Sequence, residues 1–320
     1  MARSLVFISA VAAALVVAAA ADAPVATLHF HVLAATGLKL TDVAWTGHGF
    51  LYLENTTNAV WAAPPAGKPL VMFASMPREV EETRCRVSPG NHGWAPGIIF
   101  CHAPDNTIYR LTADGQSVTV FTKLPEVAIS DGALAFDTTG GFGYRLVAAT
   151  GRSGAPQPGG GSVYTISSSG SVQRVGHYAG PGGADEVQLA PPRFGVASRT
   201  VLIPVDAGAT GRLVAMAPDG TSRLIARFPD GPNPIAAIVP SAVRGGAHAG
   251  LYVTDTLSGN AFVAPASELR AYARDVIAGS EIQGLFWVIR PHGRAYEVLQ
   301  LPSTLRGRHY NLEGMAYVSP

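Results

Sequence analysis

The sequence predicts an all-β fold, a six-bladed β-propeller, from three observations. A strand–turn–strand plan recurs at intervals of roughly 40 to 55 residues. The 36 Gly and 24 Pro are spread along the chain rather than clustered, as many short strands with many reversals require. Apolar strands are left over at both ends, and together they supply one more blade.

The hairpins carry the repeat. Thr107–Leu111 leads through Asp114-Gly115 into Val118–Phe121, and Val163–Ile166 through Ser169-Gly170 into Val172–Val175. Leu213–Met216 leads through Asp219-Gly220 into Arg223–Ala226, and Phe286–Ile289 through His292-Gly293 into Tyr296–Leu299. Each turn ends in Gly, which supplies the positive φ that tight hairpins need. A looser copy runs from Ala59–Ala62 through Gly67 to Leu70–Phe73. Second strands precede the hairpins at Phe50–Leu53, Ile98–Cys101, Leu146–Ala149, Val201–Pro204 and Leu251–Thr254. Their continuous apolar character suits strands covered on both faces.

Five blades thus fill the chain from Leu38 to Leu301. Thr27–Leu33 and Leu312–Val318 close a sixth by pairing the two ends. A five-bladed ring is the alternative, and Glu281–Gly284 can also be read as opening a blade. Gly151–Gly161 reads as an exposed Gly/Pro loop. Pro265–Ile277 reads as a short helix capped by Ser267, either a lid over one mouth or an insertion packed on a blade edge.

Residues 1–21 read as a secretory signal. Arg3 precedes a nearly unbroken apolar run from Leu5 to Ala21, and small residues mark a cleavage site before Asp22. Residues 22–320 are then one propeller domain, secreted, periplasmic or otherwise extracytoplasmic. An uncleaved anchor is the alternative, against which the run is short and Ala-rich. No other run is long and apolar enough for stable membrane insertion. In an oxidising compartment Cys85 and Cys101 form a disulfide, the alternative being two buried thiols. With 23 Lys plus Arg against 22 Asp plus Glu and no basic run, nothing favours nucleic acid. The partner expected is a small-molecule or carbohydrate ligand, and the protein is expected to be a monomer. Nucleophile-elbow, His-Glu-x-x-His, phosphate-loop and Cys-x-x-Cys motifs are absent.

In a propeller, residues that begin the innermost strands meet at the axis near one mouth. The candidates are Asp42, Glu82, Asp131, Asp185 with Glu186, Asn233 and Glu313. Hard oxygen ligands converging in this way suit a divalent cation, Ca²⁺ first. Crowded carboxylates cannot all stay ionised without a cation, basic partners or shifted pKa values. Arg84 and Arg86 either balance the ring or bind a substrate carboxylate. Trp94, in the loop from Gly90 to Gly97, and His309, just before Glu313, are the other candidate substrate contacts. His92 and His102, beside the cysteines, are further candidates for the channel.

Four short segments carry a family resemblance: Leu312-Glu313-Gly314, Ser130-Asp131-Gly132-Ala133, Pro232-Asn233-Pro234 and Leu251-Tyr252-Val253-Thr254-Asp255. With them the chain resembles the superfamily of senescence marker protein 30, gluconolactonase and strictosidine synthase-like propellers. The resemblance implies a divalent cation held by a Glu, two Asn and an Asp, polarising a lactone or ester carbonyl while the Asp helps activate water. By position it makes Glu313, Asn233 and Asp131 ligands, with Asp131 also catalytic, and Asp185 is the fourth candidate ligand. The chain departs from that pattern: Glu313 comes last rather than first, Asn233 precedes Pro rather than Gly, and no second Asn is found. The function expected is lactone or ester hydrolysis. The alternatives are a non-catalytic secreted binding propeller, for a carbohydrate, peptide or protein partner, and a structural envelope protein.

Overall fold

The computed structural model describes residues 25–78, 82–126, 128, 130–151, 159–208, 210–238, 246–307 and 309–319. The signal segment expected at residues 1–21 lies outside them, as does most of the Gly/Pro loop. Six antiparallel sheets are arranged as a propeller. After β1 (His31–Ala35), blade one is β2 (Leu40–Trp45), β3 (Phe50–Glu54), β4 (Ala59–Ala63) and β5 (Val71–Ser75). Blade two is β6 (Arg84–Val87), β7 (Ile99–His102), β8 (Thr107–Leu111) and β9 (Val118–Lys123). Blade three is β10 (Ala133–Phe136), β11 (Leu146–Ala149), β12 (Gly161–Ile166) and β13 (Val172–Tyr178). In blade four the innermost strand is broken into β14 (Gly183–Ala184) and β15 (Gln188–Leu189), both paired with β16 (Val201–Asp206), and β17 (Gly211–Met216) and β18 (Ser222–Phe228) follow. The remaining strands are β19 (Pro232–Ala237), β20 (Gly250–Asp255), β21 (Asn260–Pro265), β22 (Val276–Ser280), β23 (Phe286–His292), β24 (Ala295–Leu301) and β25 (Leu312–Val318).

The last two blades interlock. Strand β19 begins blade five, but its partner is β22, followed by β23 and β24. The intervening β20–β21 hairpin crosses into blade six, between β25 on the axis and β1 outside. The six-bladed expectation therefore holds and the five-bladed alternative does not. Two details are corrected. Leu251–Thr254 is the second strand of blade six, not of blade five. The terminal strands share a blade, but they flank the hairpin rather than pairing with each other. One apolar cluster, including Phe30, Ile238, Val253, Phe262, Phe286 and Met315, spans both blades. Burying such side chains stabilises by about 1.5–3 kcal/mol each, so the crossing hairpin contributes to closing the ring.

The expected helix is a 3₁₀ segment, Ala266–Tyr272, with Pro265 and not Ser267 at its N-cap position. Leu269 and Tyr272 sit in the same cluster, and the Tyr272 hydroxyl donates to the Ala26 carbonyl (2.6 Å). The segment is thus the edge-packed insertion and not a lid.

Cys85 and Cys101 are directly opposed on β6 and β7 and form a disulfide. Both are fully buried between blades one and two. Reducing it, or substituting both cysteines by serine, is expected to cost about 3 kcal/mol, read as a lowered denaturant midpoint with an m-value that rises as the freed unfolded chain exposes more surface.

Candidate functional site at the acidic mouth

The beginnings of the innermost strands converge as expected, but the axis is occupied by arginine. Arg84, on β6, is fully buried. Its Nη2 donates to Glu313 (3.2 Å) and Glu82 (3.3 Å), and its Nε to the Asp185 carbonyl (3.1 Å). The same Glu313 oxygen accepts from the Asn233 amide (3.3 Å). Burial opposes the guanidinium charge, yet the surrounding carboxylates hold its pKa above the ordinary value. Arg84 therefore balances the acidic ring and is not presented to a substrate.

Further along the axis Arg86 forms a second layer. Its Nη1 donates to both Asp42 oxygens (3.1 and 3.2 Å) and its Nη2 to Glu186. Asp42 also accepts from the Cys85 N–H (2.7 Å), and Glu186 from the Ile235 N–H (2.9 Å). Both acids are fully buried. Burial pushes the Glu186 carboxyl up to about 7, against the lowering effect of Arg86. Two glycines singled out by the sequence serve this close packing. A Cβ on Gly132 would lie 2.2 Å from the His102 carbonyl oxygen, and one on Gly314 would lie 2.6 Å from the Asp42 Cα. The Gly after Asp131 and after Glu313 is thus required by the close approach of neighbouring blades.

The remaining acids gather on one side of the mouth. Asp185, between β14 and β15, Asp206, ending β16, and Glu281, just after β22, each bring one oxygen within 4.8 Å of the other two. Asp185 is 3% exposed, and neither of its carboxylate oxygens has a hydrogen-bond donor among the described residues. Burial first, and then the neighbouring Asp131, raise its pKa well above the carboxylate range. Glu281 is pushed up to about 8 by burial and by Asp206, and burial also raises Asp206. Glu313 is raised by burial, Glu82 and Glu281. Buried oxygens without donors, crowded so that protons are retained, are the environment a hard cation relieves. The donor set, three carboxylates with Asp131 adjoining, fits a divalent ion.

Of the expected ligands, Asp185 belongs to this cluster and Asp131 adjoins it, while Glu313 is bound by Arg84 and by the Asn233 amide. His309 is exposed on the loop entering β25, with its ring 5.1 Å from that of Tyr310. Trp94 is not at a mouth. It is 5% exposed, packed against Phe100 and Phe136 between blades two and three, and its indole N–H donates to the Tyr144 carbonyl (2.9 Å). His102 is buried, and desolvation lowers its pKa to about 4. His92 stacks on Tyr144. Asp255, of the matched Leu-Tyr-Val-Thr-Asp run, accepts from Ser258 and Asn311 N–H groups and so organises a turn. Asp206 and Glu281 were missed as ligands because they stand at the far ends of second strands. The available signal was that β3, β16 and β20 all end in an acid, at Glu54, Asp206 and Asp255.

The fold defines the class: a six-bladed β-propeller, the architecture expected from the resemblance. Among solved structures, it is similar to the PQQ-bound aldose sugar dehydrogenase from Streptomyces coelicolor, with TM-score 0.53 and 14% identity over 89% of this chain and 87% of that one. A protein provisionally named a gluconolactonase matches with TM-score 0.50 and 10% identity over 92% and 86% of the two chains. A streptogramin B lyase matches with TM-score 0.50 and 10% identity over 86% and 73%. No family model and no curated protein matches the sequence. At these identities the likeness is one of fold. No helix among the described residues is long and apolar enough to cross a membrane.

Proposed function

We propose that the protein is an exported, monomeric hydrolase of lactones or esters that works at the acidic mouth with a divalent cation, Ca²⁺ first. The observation that carries this reading is the buried, donor-free Asp185 carboxylate converging with Asp206 and Glu281. These three would hold the ion, and a bound cation would supply Lewis-acid polarisation of a carbonyl. In this reading Asp131, beside Asp185, would accept a proton from water. Excess negative charge around the mouth disfavours anionic substrates and favours neutral carbonyl compounds, lactones among them. The Cys85–Cys101 disulfide supports an oxidising compartment.

The test is a panel of neutral lactones and esters, assayed with chelator-stripped protein and after Ca²⁺ is restored. Turnover is expected only with the ion, and Asp131→Asn is expected to reduce kcat by about 100-fold or more. Absence of turnover from folded, Ca²⁺-loaded protein would end the hydrolase reading. A second reading, a non-catalytic binding propeller for a small molecule or carbohydrate, is favoured by one observation: Glu313 is already engaged by Arg84 and by the Asn233 amide. It requires ligand binding to survive Asp131→Ala and Glu313→Ala unchanged.

A further inference from the structure

The opposite end of the channel is a different chemical environment. The innermost strands reach it with their C-terminal halves, and there they enclose a cavity of about 870 Å³. That is within the size range of small-molecule pockets, roughly 300–1,000 Å³. Its width follows from the sequence. Ala44, Ala135, Ala236, Ala237 and Ala316 line it, from blades one, three, five and six. Short side chains at these positions leave the end of the channel open, whereas at the acidic mouth longer polar side chains meet across it.

The charge pattern is inverted relative to that mouth. The lining includes three arginines, Arg86, Arg193 and Arg199, and no Asp or Glu. Arg86 is 17% exposed, and its guanidinium is bound to Asp42 and Glu186. With Arg84 behind it, the Arg86 layer separates the two ends of the channel. The other two arginines are exposed at the rim, on the segment joining β15 to β16. That segment is anchored. Phe194 is fully buried, and the Tyr296 hydroxyl donates to the Phe194 carbonyl (2.8 Å) and accepts from the Ala197 N–H (2.9 Å). Arg193 and Arg199 both hold left-handed backbone, with φ of 65° and 63°. Such conformations cost energy in a non-Gly residue and persist only where the surroundings impose them. The backbone that carries the two rim charges is therefore held at the edge of an alanine-walled shaft.

We propose that this mouth binds an organic carboxylate. The apolar body enters the shaft, and the carboxylate stays at the rim with Arg193 and Arg199, where guanidinium groups match it in charge and geometry. Arg86 closes the shaft. The site is separate from the acidic mouth and does not depend on the reading given to that mouth.

The experiment is calorimetric titration with 2-naphthoate and decanoate, their neutral amides, and 2-naphthyl phosphate. Saturable carboxylate binding is expected, with the amides about tenfold weaker or worse, as the loss of one charge-assisted hydrogen bond implies. Chelation of divalent ions should not change it, which places the binding away from the acidic mouth. Ala316→Phe, at a half-buried lining position, should weaken all the ligands at least tenfold by filling the shaft. Arg193→Asn with Arg199→Asn keeps residues that tolerate left-handed backbone and should abolish the preference for carboxylate over amide while leaving the melting temperature unchanged. The proposal is overturned if no carboxylate saturates by about 1 mM, or if amide and carboxylate bind equally. Unchanged binding in Ala316→Phe, or binding of the phosphate ester alone, would overturn it as well.

Discussion

Arg86→Leu is expected to cost about 3–5 kcal/mol of stability, because it leaves two buried acids without their cation. Asp42 would keep only its bond from the Cys85 N–H, and Glu186 only that from Ile235. The loss should depend on pH. With Arg86 present the Glu186 carboxyl already sits at about 7, and without it the value moves higher. A carboxyl raised in the folded state binds a proton that the unfolded chain has released. Its stability contribution is complete below the unfolded value of about 4.5 and is lost as pH rises through the folded value. Arg86→Leu should therefore be more damaging at pH 8 than at pH 5. Adding Glu186→Gln should recover part of the loss at pH 8, whereas Arg86→Lys, lacking the fork, should recover little. Urea denaturation of the four proteins at both pH values is the measurement. A loss below about 1 kcal/mol that does not vary with pH would mean that the layer is solvated and does not close the channel.

The position of that layer explains what could be read from the sequence and what could not. Strand period and Gly-bearing turns are local properties, so the hairpins at Thr107, Val163, Leu213 and Phe286 were legible. Blade membership is not local. After β19 the chain offers two apolar segments able to act as its partner, β20 and β22, and both are almost fully buried in the fold. Reading in chain order selects β20, yet pairing selects β22. The clue was the 3₁₀ segment before β22, which replaces the short connection expected between consecutive blades.

The candidate site divides in the same way. Asp42, Asp131, Asp185, Asn233 and Glu313 were legible because ring closure brings strand starts together whatever their chemistry. Their roles were not, because the role depends on what faces each of them across the axis. Arg84 and Arg86 flank Cys85 on one four-residue strand, and a short strand with two charges gives no sign that both turn toward the axis. Once they occupy the axis, Glu313 and Asn233 are engaged, and the crowding of carboxylates moves to Asp185, Asp206 and Glu281.

That shift sets the second large effect. Asp185→Asn is expected to weaken Ca²⁺ binding by about 100-fold or more, by removing one charged ligand from a three-carboxylate set. In the cation-free protein it should act in the opposite direction. Asp185, Asp206 and Glu281 are all raised, Glu281 to about 8. By the same sign argument, the metal-free protein loses stability as pH rises from about 4.5 toward 8. Neutralising one member of the crowd removes part of that loss, so metal-free Asp185→Asn should melt above the metal-free native protein at pH 8. With Ca²⁺ at 100 times its Kd the native protein should gain about 2.7 kcal/mol. At one fixed Ca²⁺ concentration the gain should be larger at pH 8 than at pH 5, where protons compete for the same oxygens and raise Kd. The order of the two melting temperatures would then reverse on adding the ion. A structural carboxylate would give a variant that melts lower with and without Ca²⁺, and an acid cluster that never holds an ion would give no Ca²⁺ shift in either protein. The reversal therefore distinguishes a cation site from both, without recourse to any assay of turnover.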